Sequence, residues 1–151
     1  MKARFNPYQA APEAMKAVAS VETVITASGL DPRLIELVKI RASQINGCAY
    51  CIHMHTKDAR AHGETEERIY LLDAWRESPL YSDKERAALA WTEALTLIRD
   101  THAPDDVYEG LRQQFNEAEI ANLTVLIGLI NTWNRIAIGF RSVHPVKAKA
   151  A

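Results

Sequence analysis

The chain has little cysteine, almost no net charge and no uninterrupted apolar run of membrane-spanning length. A formal net charge of −1 excludes an overall positive field that would attract nucleic acid or anionic lipid. The most apolar stretch, residues 120–140, contains three asparagines and an arginine, which is typical of a buried helix rather than a membrane span. The first 15 residues contain no apolar segment of the kind that a secretory signal needs. We therefore expect a cytoplasmic protein whose partners include neither nucleic acid nor membrane.

Glycine and proline are also sparse, with six of each, and several stand where helices begin or end. Asp31 followed by proline is typical of a helix start, and Gly63 can end a helix. Capping-box patterns begin at Ser82 and Asn116. No alternating apolar and polar run bounded by turn residues predicts a strand. The sequence predicts one all-α domain over residues 1–151 with about seven helices, the last of them long and covering about 117–141.

Both cysteines and three of the five histidines lie in one stretch, residues 46–63, NGCAYCIHMHTKDARAHG. If a helix begins near Cys48, then Cys48, Cys51 and His55 lie on one face at spacing i, i+3, i+7. A helix N-terminus favours an anion, so a thiolate should form readily there. His55, one turn after Cys51, is placed to accept or relay its proton. These residues are the parts of a dithiol redox centre.

A fourth candidate, Glu36, lies among apolar residues in the preceding helix. A carboxylate in such a segment is usually paired or functional. Helices joined by a short turn at residues 46–47 pack side by side, which would bring Glu36 toward Cys51 or His55. The predicted catalytic residues are therefore Cys51, Cys48, His55 and Glu36.

These residues carry a resemblance to a known family. Glu36, then eleven residues, then Cys48-Ala-Tyr-Cys51, then three residues, then His55, resembles the core motif of the AhpD alkylhydroperoxidase family. That family belongs to the wider carboxymuconolactone decarboxylase-like superfamily. The flanking segments 39–69, 80–96 and 122–141 are similar to the same branch. The motif core covers about 31–115, with one helix before it and the long C-terminal helix after it.

The resemblance implies an all-helical AhpD-like bundle that assembles into homo-oligomers, either trimers or hexamers. It implies a peroxidase in which Cys51 attacks hydrogen peroxide or a small organic hydroperoxide, Cys48 resolves the sulfenic acid as a disulfide, and Glu36 with His55 relays protons. The reductant would be a thiol or a reductant protein, with a lipoylated protein as one candidate. Tyr50 stands where well-characterised members carry a histidine, which implies a shorter or differently tuned relay. No cofactor is expected, since the sequence contains no glycine-rich phosphate loop.

Other interpretations of the same residues stay open at this point. Cys48, Cys51 and His55 could bind zinc, with His62 or Glu36 as the fourth ligand. The cysteines could instead be inert core residues. At the level of function, the protein could be a redox sensor or a non-catalytic helical assembly. It could also be a decarboxylase or lyase that uses Glu36 and His55 alone, although superfamily members with that activity lack the cysteine pair.

Four polar residues interrupt apolar helices elsewhere. For Asn131, Asn134 and Arg135 we predict a hydrogen-bonded network between subunits, and the alternative is a wall of the substrate pocket. For Glu93 we predict a buried partner of an arginine. The three tryptophans are predicted to lie in the core or at a subunit interface: Trp75, Trp91 and Trp133.

Overall fold

The computed structural model describes residues 2–146, which form an all-helical bundle with no strand in that range. Residue 1 and residues 147–151, which the predicted domain includes, lie outside the described residues. The all-α prediction is confirmed. In chain order the helices are α1 Pro7–Ala10, α2 Pro12–Thr26, α3 Pro32–Asn46, α4 Ala49–Ala61, α5 Glu66–Leu71, a 3₁₀ turn Leu72–Ala74, α6 Asp83–Thr96, α7 Ile98–Thr101, α8 Asp105–Arg112 and α9 Glu117–Phe140.

The seven predicted helices correspond to α2, α3, α4, α5, α6, α8 and α9, and the structure adds two helices of four residues each, α1 and α7. A four-residue helix has barely one turn, so it shows no apolar periodicity by which a sequence could predict it. The capping predictions are confirmed. Asp31 accepts a backbone hydrogen bond at the start of α3, and both capping boxes are complete, Ser82 with Glu85 and Asn116 with Glu119.

Helix α3 lies at the centre of the bundle, where it packs against α4, α6 and α9. Its middle is buried on almost every side, and Leu37, Val38, Ile40 and Ala42 have no exposed surface. Among the described helices, α9 alone is long and apolar enough to cross a membrane, and 44% of its apolar window is buried inside the bundle. Such burial is typical of a core helix, as the sequence predicts for this segment.

The turn between α3 and α4 sets the two helices side by side. Gly47 adopts the left-handed conformation with φ 68°, and the N–H of Cys48 donates to the carbonyl of Ser43 at 2.9 Å. This is the helix-ending geometry that favours glycine. The Asn46 side chain, at the same turn, donates to Asn131 at 2.9 Å and to Asn134 at 2.8 Å. The turn is therefore fixed both by its backbone and by α9.

The asparagines of α9 form a hydrogen-bond network within one chain, whereas the sequence predicts one between subunits. Asn134 donates to Ser43 at 2.9 Å, and Asn131 donates to Thr96 at 3.1 Å. Neither asparagine lies on the wall of the large cavity described below. The reason for the difference is that α9 crosses α3 at the Asn46 turn, so that the amides meet inside the bundle.

Glu93 is the partner of arginine that the sequence predicts, although its side chain is only partly buried, at 15% exposed. It accepts hydrogen bonds from Arg41 at 2.8 Å, from the indole of Trp75 at 2.8 Å and from Arg76. Trp75 and Trp91 lie in the core, which confirms that prediction for both of them.

Candidate active site

The two cysteines lie at the first turn of α4, as the sequence predicts. Cys48 is the N-cap residue, and its Sγ accepts a hydrogen bond from the backbone N–H of Cys51 at 3.3 Å. Both side chains are almost completely buried. The two sulfur atoms are joined as a disulfide. The sulfur pair therefore sits where unpaired backbone N–H groups and the helix dipole favour negative charge once the bond is reduced.

Glu36 and His55 meet between α3 and α4. The Oε2 atom of Glu36 lies 2.8 Å from Nδ1 of His55, and both residues are buried. This confirms the prediction that the short turn brings Glu36 to His55. An ionised carboxylate can only accept, so Nδ1 of His55 carries the proton and Nε2 keeps its lone pair. His55 follows Cys51 by one helical turn on the same face.

The pKa of Glu36 lies below its usual value of 4.5. Burial by itself would raise this pKa, but the hydrogen bond from His55 and the electrostatic attraction of the carboxylate to His55 and to the Lys39 ammonium together lower it. The carboxylate is therefore ionised at neutral pH, in the form that accepts the proton of His55.

Lys39 is a member of the site that the sequence-based prediction omits. Its side chain is only 6% exposed, and its Nζ forms an ion pair with Glu22 of α2 and lies 3.5 Å from Oε1 of Glu36. The sequence does contain a signal that could have identified Lys39, because this residue stands between the apolar residues Val38 and Ile40, one turn after Glu36. Glu36 is a candidate because it is a charge within an apolar helix, and the same criterion applies to Lys39.

A cavity of about 800 Å³ opens onto these residues. It is bounded by α1, α2, α3, α4 and α9, by the segment before α1 and by the segment after α9. Cys51, His55, Glu36 and Lys39 line it, whereas Cys48 does not. Its apolar wall includes Phe5, Tyr8, Ile35, Tyr50, Met54 and Trp133. Of the two cysteines, Cys51 is therefore the one next to an entering molecule.

The two other histidines of residues 46–63 lie in different surroundings, one at the cavity and one away from it. His62 is the C-cap residue of α4, and it also lines the cavity. His53 does not line the cavity but stacks on His144 of the C-terminal segment, with ring centroids 4.6 Å apart. Tyr50, between the two cysteines, contributes an aromatic side chain to the cavity wall.

The zinc alternative requires two thiolates in addition to His55. The two cysteines are bonded to each other, and a disulfide does not supply the thiolate that zinc needs. A second group, Glu36, His55 and Asp58, brings potential ligand atoms within 4.8 Å of one another. The ammonium of Lys39 already lies against Glu36, where it supplies the positive charge that a metal ion would bring. The donor set suits acid–base chemistry better than metal binding.

The chain is similar in sequence and in structure to known proteins. The family model for the carboxymuconolactone decarboxylase family matches residues 12–94. The uncharacterized protein YdfG of Bacillus subtilis is 46% identical over 138 residues, which cover 91% of this chain and 94% of YdfG. A crystal structure from Agrobacterium tumefaciens, of a protein of unknown function proposed to be the antioxidant defence protein AhpD, is 54% identical. It superposes with a TM-score of 0.94 over 97% of this chain and 100% of that one.

A more distant structure has the same fold. The debrominase Bmp8 is 19% identical, and it superposes with a TM-score of 0.77 over 89% of this chain and 73% of its own. At this identity the likeness concerns the fold alone.

Proposed function

Because the chain belongs to the carboxymuconolactone decarboxylase family and is AhpD-like, we propose that it is a thiol peroxidase that reduces hydroperoxides through Cys48 and Cys51. The observation that supports this most is the position of Cys51. It is bonded to Cys48 and lines the same cavity as the Glu36–His55 pair. A nucleophile, a resolving thiol and a base with its orienting carboxylate are thus present together.

In the reduced protein, Nε2 of His55 accepts the proton of the Cys51 thiol. The thiolate attacks one oxygen of the hydroperoxide, the O–O bond breaks, and the proton on His55 passes to the departing alkoxide to give an alcohol. Cys51 is then a sulfenic acid. The thiol of Cys48 attacks its sulfur, the S–O bond breaks, and the hydroxide leaves with the proton of Cys48 as water. The two thiols have supplied two electrons and end as the disulfide.

Glu36 directs this proton transfer without exchanging a proton itself. By accepting the Nδ1 proton of His55 it fixes the ring and leaves Nε2 as the basic atom. It also stabilises the imidazolium that forms while His55 holds the proton of Cys51.

The cavity favours an organic hydroperoxide over hydrogen peroxide as the substrate. Its volume of about 800 Å³ is in the range of cavities that bind small organic molecules. Its wall carries aromatic rings and Met54, which would contact an apolar alkyl or aryl group. Hydrogen peroxide would fit but would leave most of this apolar surface without a contact.

The disulfide must be reduced again by a thiol or a reductant protein, for which a lipoylated protein is one candidate. We place the protein in the cytoplasm, where thiol pools would keep the pair reduced between turnovers. We further propose a homo-oligomer, either a trimer or a hexamer, without a nucleic-acid or membrane partner. The chemistry as written requires no cofactor.

The experiment is intact mass spectrometry of fully reduced, chelator-treated protein after one equivalent of cumene hydroperoxide. We expect the wild type to lose two hydrogen atoms rapidly and Cys51→Ser to keep its mass. Cys48→Ser should gain one oxygen atom, which dimedone would trap as a sulfenic acid. A wild-type mass that stays unchanged would contradict the peroxidase. A lyase acting through Glu36 and His55 would keep its activity in the variant that lacks both cysteines.

A redox sensor is the second candidate, and the capping role of Cys48 favours it. Because the Cys48 sulfur caps α4, reduction changes the group that holds the start of this helix. Size-exclusion chromatography of reduced and oxidised protein tests this. A change in size without turnover of peroxide would favour the sensor, whereas turnover without a change in size would exclude it.

A further inference from the structure

Lys39 is buried in the cavity wall between carboxylates from two helices. Its Nζ is paired with Glu22 of α2 and lies 3.5 Å from Oε1 of Glu36, whose other oxygen bonds His55 at 2.8 Å. The groups form one continuous row of alternating charge from α2 through α3 to α4. Lys39 stands in this row at two contacts from His55.

We propose that Lys39, whose ammonium Glu36 shares with Glu22, is a positioning residue of this site that keeps Glu36 ionised and thereby holds His55 ready for Cys51. The role of Lys39 in catalysis rests on the proposed function, because the ionised Glu36 and its partner His55 matter for catalysis only if a reaction takes place at Cys51. The contacts themselves do not depend on that function.

Glu36 requires a nearby cation because it is buried. Burial disfavours the charged form of a carboxyl group, and a buried carboxyl without a cation tends to take up a proton. A protonated Glu36 would be a weaker acceptor for the Nδ1 proton of His55. It would also no longer stabilise the imidazolium that forms when His55 takes the proton of Cys51.

Lys39 in turn is shared between Glu36 and Glu22. A buried ammonium loses much of its hydration, and this cost is offset only by hydrogen bonds to opposite charges. Glu22, with a side chain 33% exposed, supplies a second carboxylate from a different helix. The ammonium is therefore held at the cavity wall, and α2 becomes part of the site.

No other lysine or arginine lines the cavity among residues 2–146. The remaining titratable groups on its wall are Asp58 and His62 of α4, Tyr50 at the start of α4, and Tyr8 of α1. Of these, Asp58 adds negative charge, with a carboxylate oxygen 4.0 Å from Nδ1 of His55. Loss of Lys39 would therefore leave the Glu36 carboxylate without a permanent cation on the wall.

The test is the pH dependence of alkylation of Cys51 by iodoacetamide in the reduced full chain, followed by peptide mass spectrometry. Lys39→Met should move the midpoint of reactivity upward by about one pH unit, which slows alkylation up to about tenfold at pH 7, because a protonated Glu36 would no longer stabilise the imidazolium that forms with the Cys51 thiolate. Glu22→Gln should move the midpoint downward, since it removes a negative charge and leaves the positive charge of Lys39. A merely structural role would not produce shifts of opposite sign.

Two controls complete the design. Lys39→Arg keeps the charge and should keep the wild-type midpoint, and Lys57→Met removes a charge from an exposed position on α4 outside the cavity. Circular dichroism checks the folding of each variant. If Lys39→Met does not fold, Glu22→Gln decides alone: a downward shift supports the proposal, and an unchanged or raised midpoint overturns it.

An unchanged midpoint in a folded Lys39→Met variant would also overturn the proposal. Alkylation requires no peroxide, so the result is separate from the proposed function. Opposite shifts in a protein that cumene hydroperoxide does not oxidise would contradict the peroxidase and leave the role of Lys39 in place.

Discussion

Glu93 shows how one carboxylate can hold several elements together. It accepts hydrogen bonds from Arg41 of α3, from Trp75 after the 3₁₀ turn and from the neighbouring Arg76. Burial by itself raises the pKa of Glu93, but these hydrogen bonds and the charge of Arg41 lower it below its usual value of 4.5. A carboxyl group whose pKa is lowered by folding stabilises the protein above its unfolded pKa, and this contribution is lost as pH falls through the folded pKa.

We therefore predict that Glu93→Gln lowers the free energy of unfolding by about 2 kcal/mol at pH 7, since a hydrogen bond to a charged group contributes about this much. Below pH 4.5 the variant should lose less stability than the wild type on further acidification. Urea unfolding at several pH values measures both effects.

The matched control is Glu109→Gln. Glu109 pairs with Arg112 on the surface of α8 at 3.2 Å, where both side chains are more than half exposed. Its replacement should change the free energy of unfolding by less than about 0.5 kcal/mol. If both variants lose the same free energy of unfolding, the partly buried contacts of Glu93 stabilise the protein no more than a surface ion pair does.

At this scale the sequence predicts a residue well when its local pattern is unusual. Glu36 is identifiable because a charge within an apolar helix must have a partner, and the helical period places Cys51 and His55 on one face. Lys39 meets the same criterion, but its main partner Glu22 lies 17 residues away on another helix. No spacing rule connects α2 to α3, so the ion pair depends on how the helices pack.

The turn that joins α3 to α4 depends on a single glycine. Gly47 has φ 68°, a conformation that costs a residue with a side chain roughly 1–2 kcal/mol. A Cβ atom there would meet no heavy atom within 4 Å, so the cost is conformational rather than steric. We predict that Gly47→Ala lowers the free energy of unfolding by about 1 kcal/mol, which thermal and urea unfolding would measure.

Gly110 is the matched control for this change. It lies inside α8, and a Cβ atom added there would also meet no heavy atom within 4 Å. Because alanine favours the helix more than glycine does, Gly110→Ala should raise the free energy of unfolding by up to about 1 kcal/mol. If Gly47→Ala also raises the free energy of unfolding, as Gly110→Ala should, then alanine does not strain the turn at residue 47.

Helix ends are the most predictable features of the elements, because capping depends on a few neighbouring residues. Asp31, Ser82 and Asn116 cap the helices that the sequence assigns to them. The partners of the asparagines in α9 are less predictable. A buried amide must find a hydrogen bond, but the sequence does not say whether the partner belongs to the same chain.

Across the whole molecule, the asparagine network fixes the central helix against the longest one. Asn134 is 1% exposed and bonds both Asn46 and Ser43 of α3. We predict that Asn134→Ala lowers the free energy of unfolding by about 2–3 kcal/mol, because buried polar groups lose their partners. Urea unfolding followed by circular dichroism measures this loss.

Thr132→Ala is the control on the same helix. Thr132 is exposed, and its hydroxyl bonds only the carbonyl of Gly128 one turn earlier. Its replacement should stay within about 0.5 kcal/mol of the wild type. A loss as large as that of Asn134→Ala would mean that α9 is sensitive to any substitution, and that the network has no special role.

The cavity is the feature that the sequence predicts least. Its wall combines residues from Ala3 to Val143, and only the portion on α3 and α4 belongs to the motif. Trp133, expected in the core or at a subunit interface, packs partly buried against the core cluster around the cysteines and also lies on this wall. A pocket assembled from distant segments depends on the packing of the whole bundle, which local patterns do not encode.

The two ends of the described chain meet beside this cavity. The backbone N–H of Arg4 donates to the carbonyl of Phe140 at 3.0 Å, and the ring of Phe5 packs on that of Phe140 at 4.5 Å. Ala3 and Val143 both contribute to the cavity wall. A purification tag fused at either end would therefore be joined to the cavity wall through a few residues only, and a polyhistidine sequence on so short a connection could reach the cavity or bind metal next to it. Assays of this protein call for tags that are cleaved before any rate is measured.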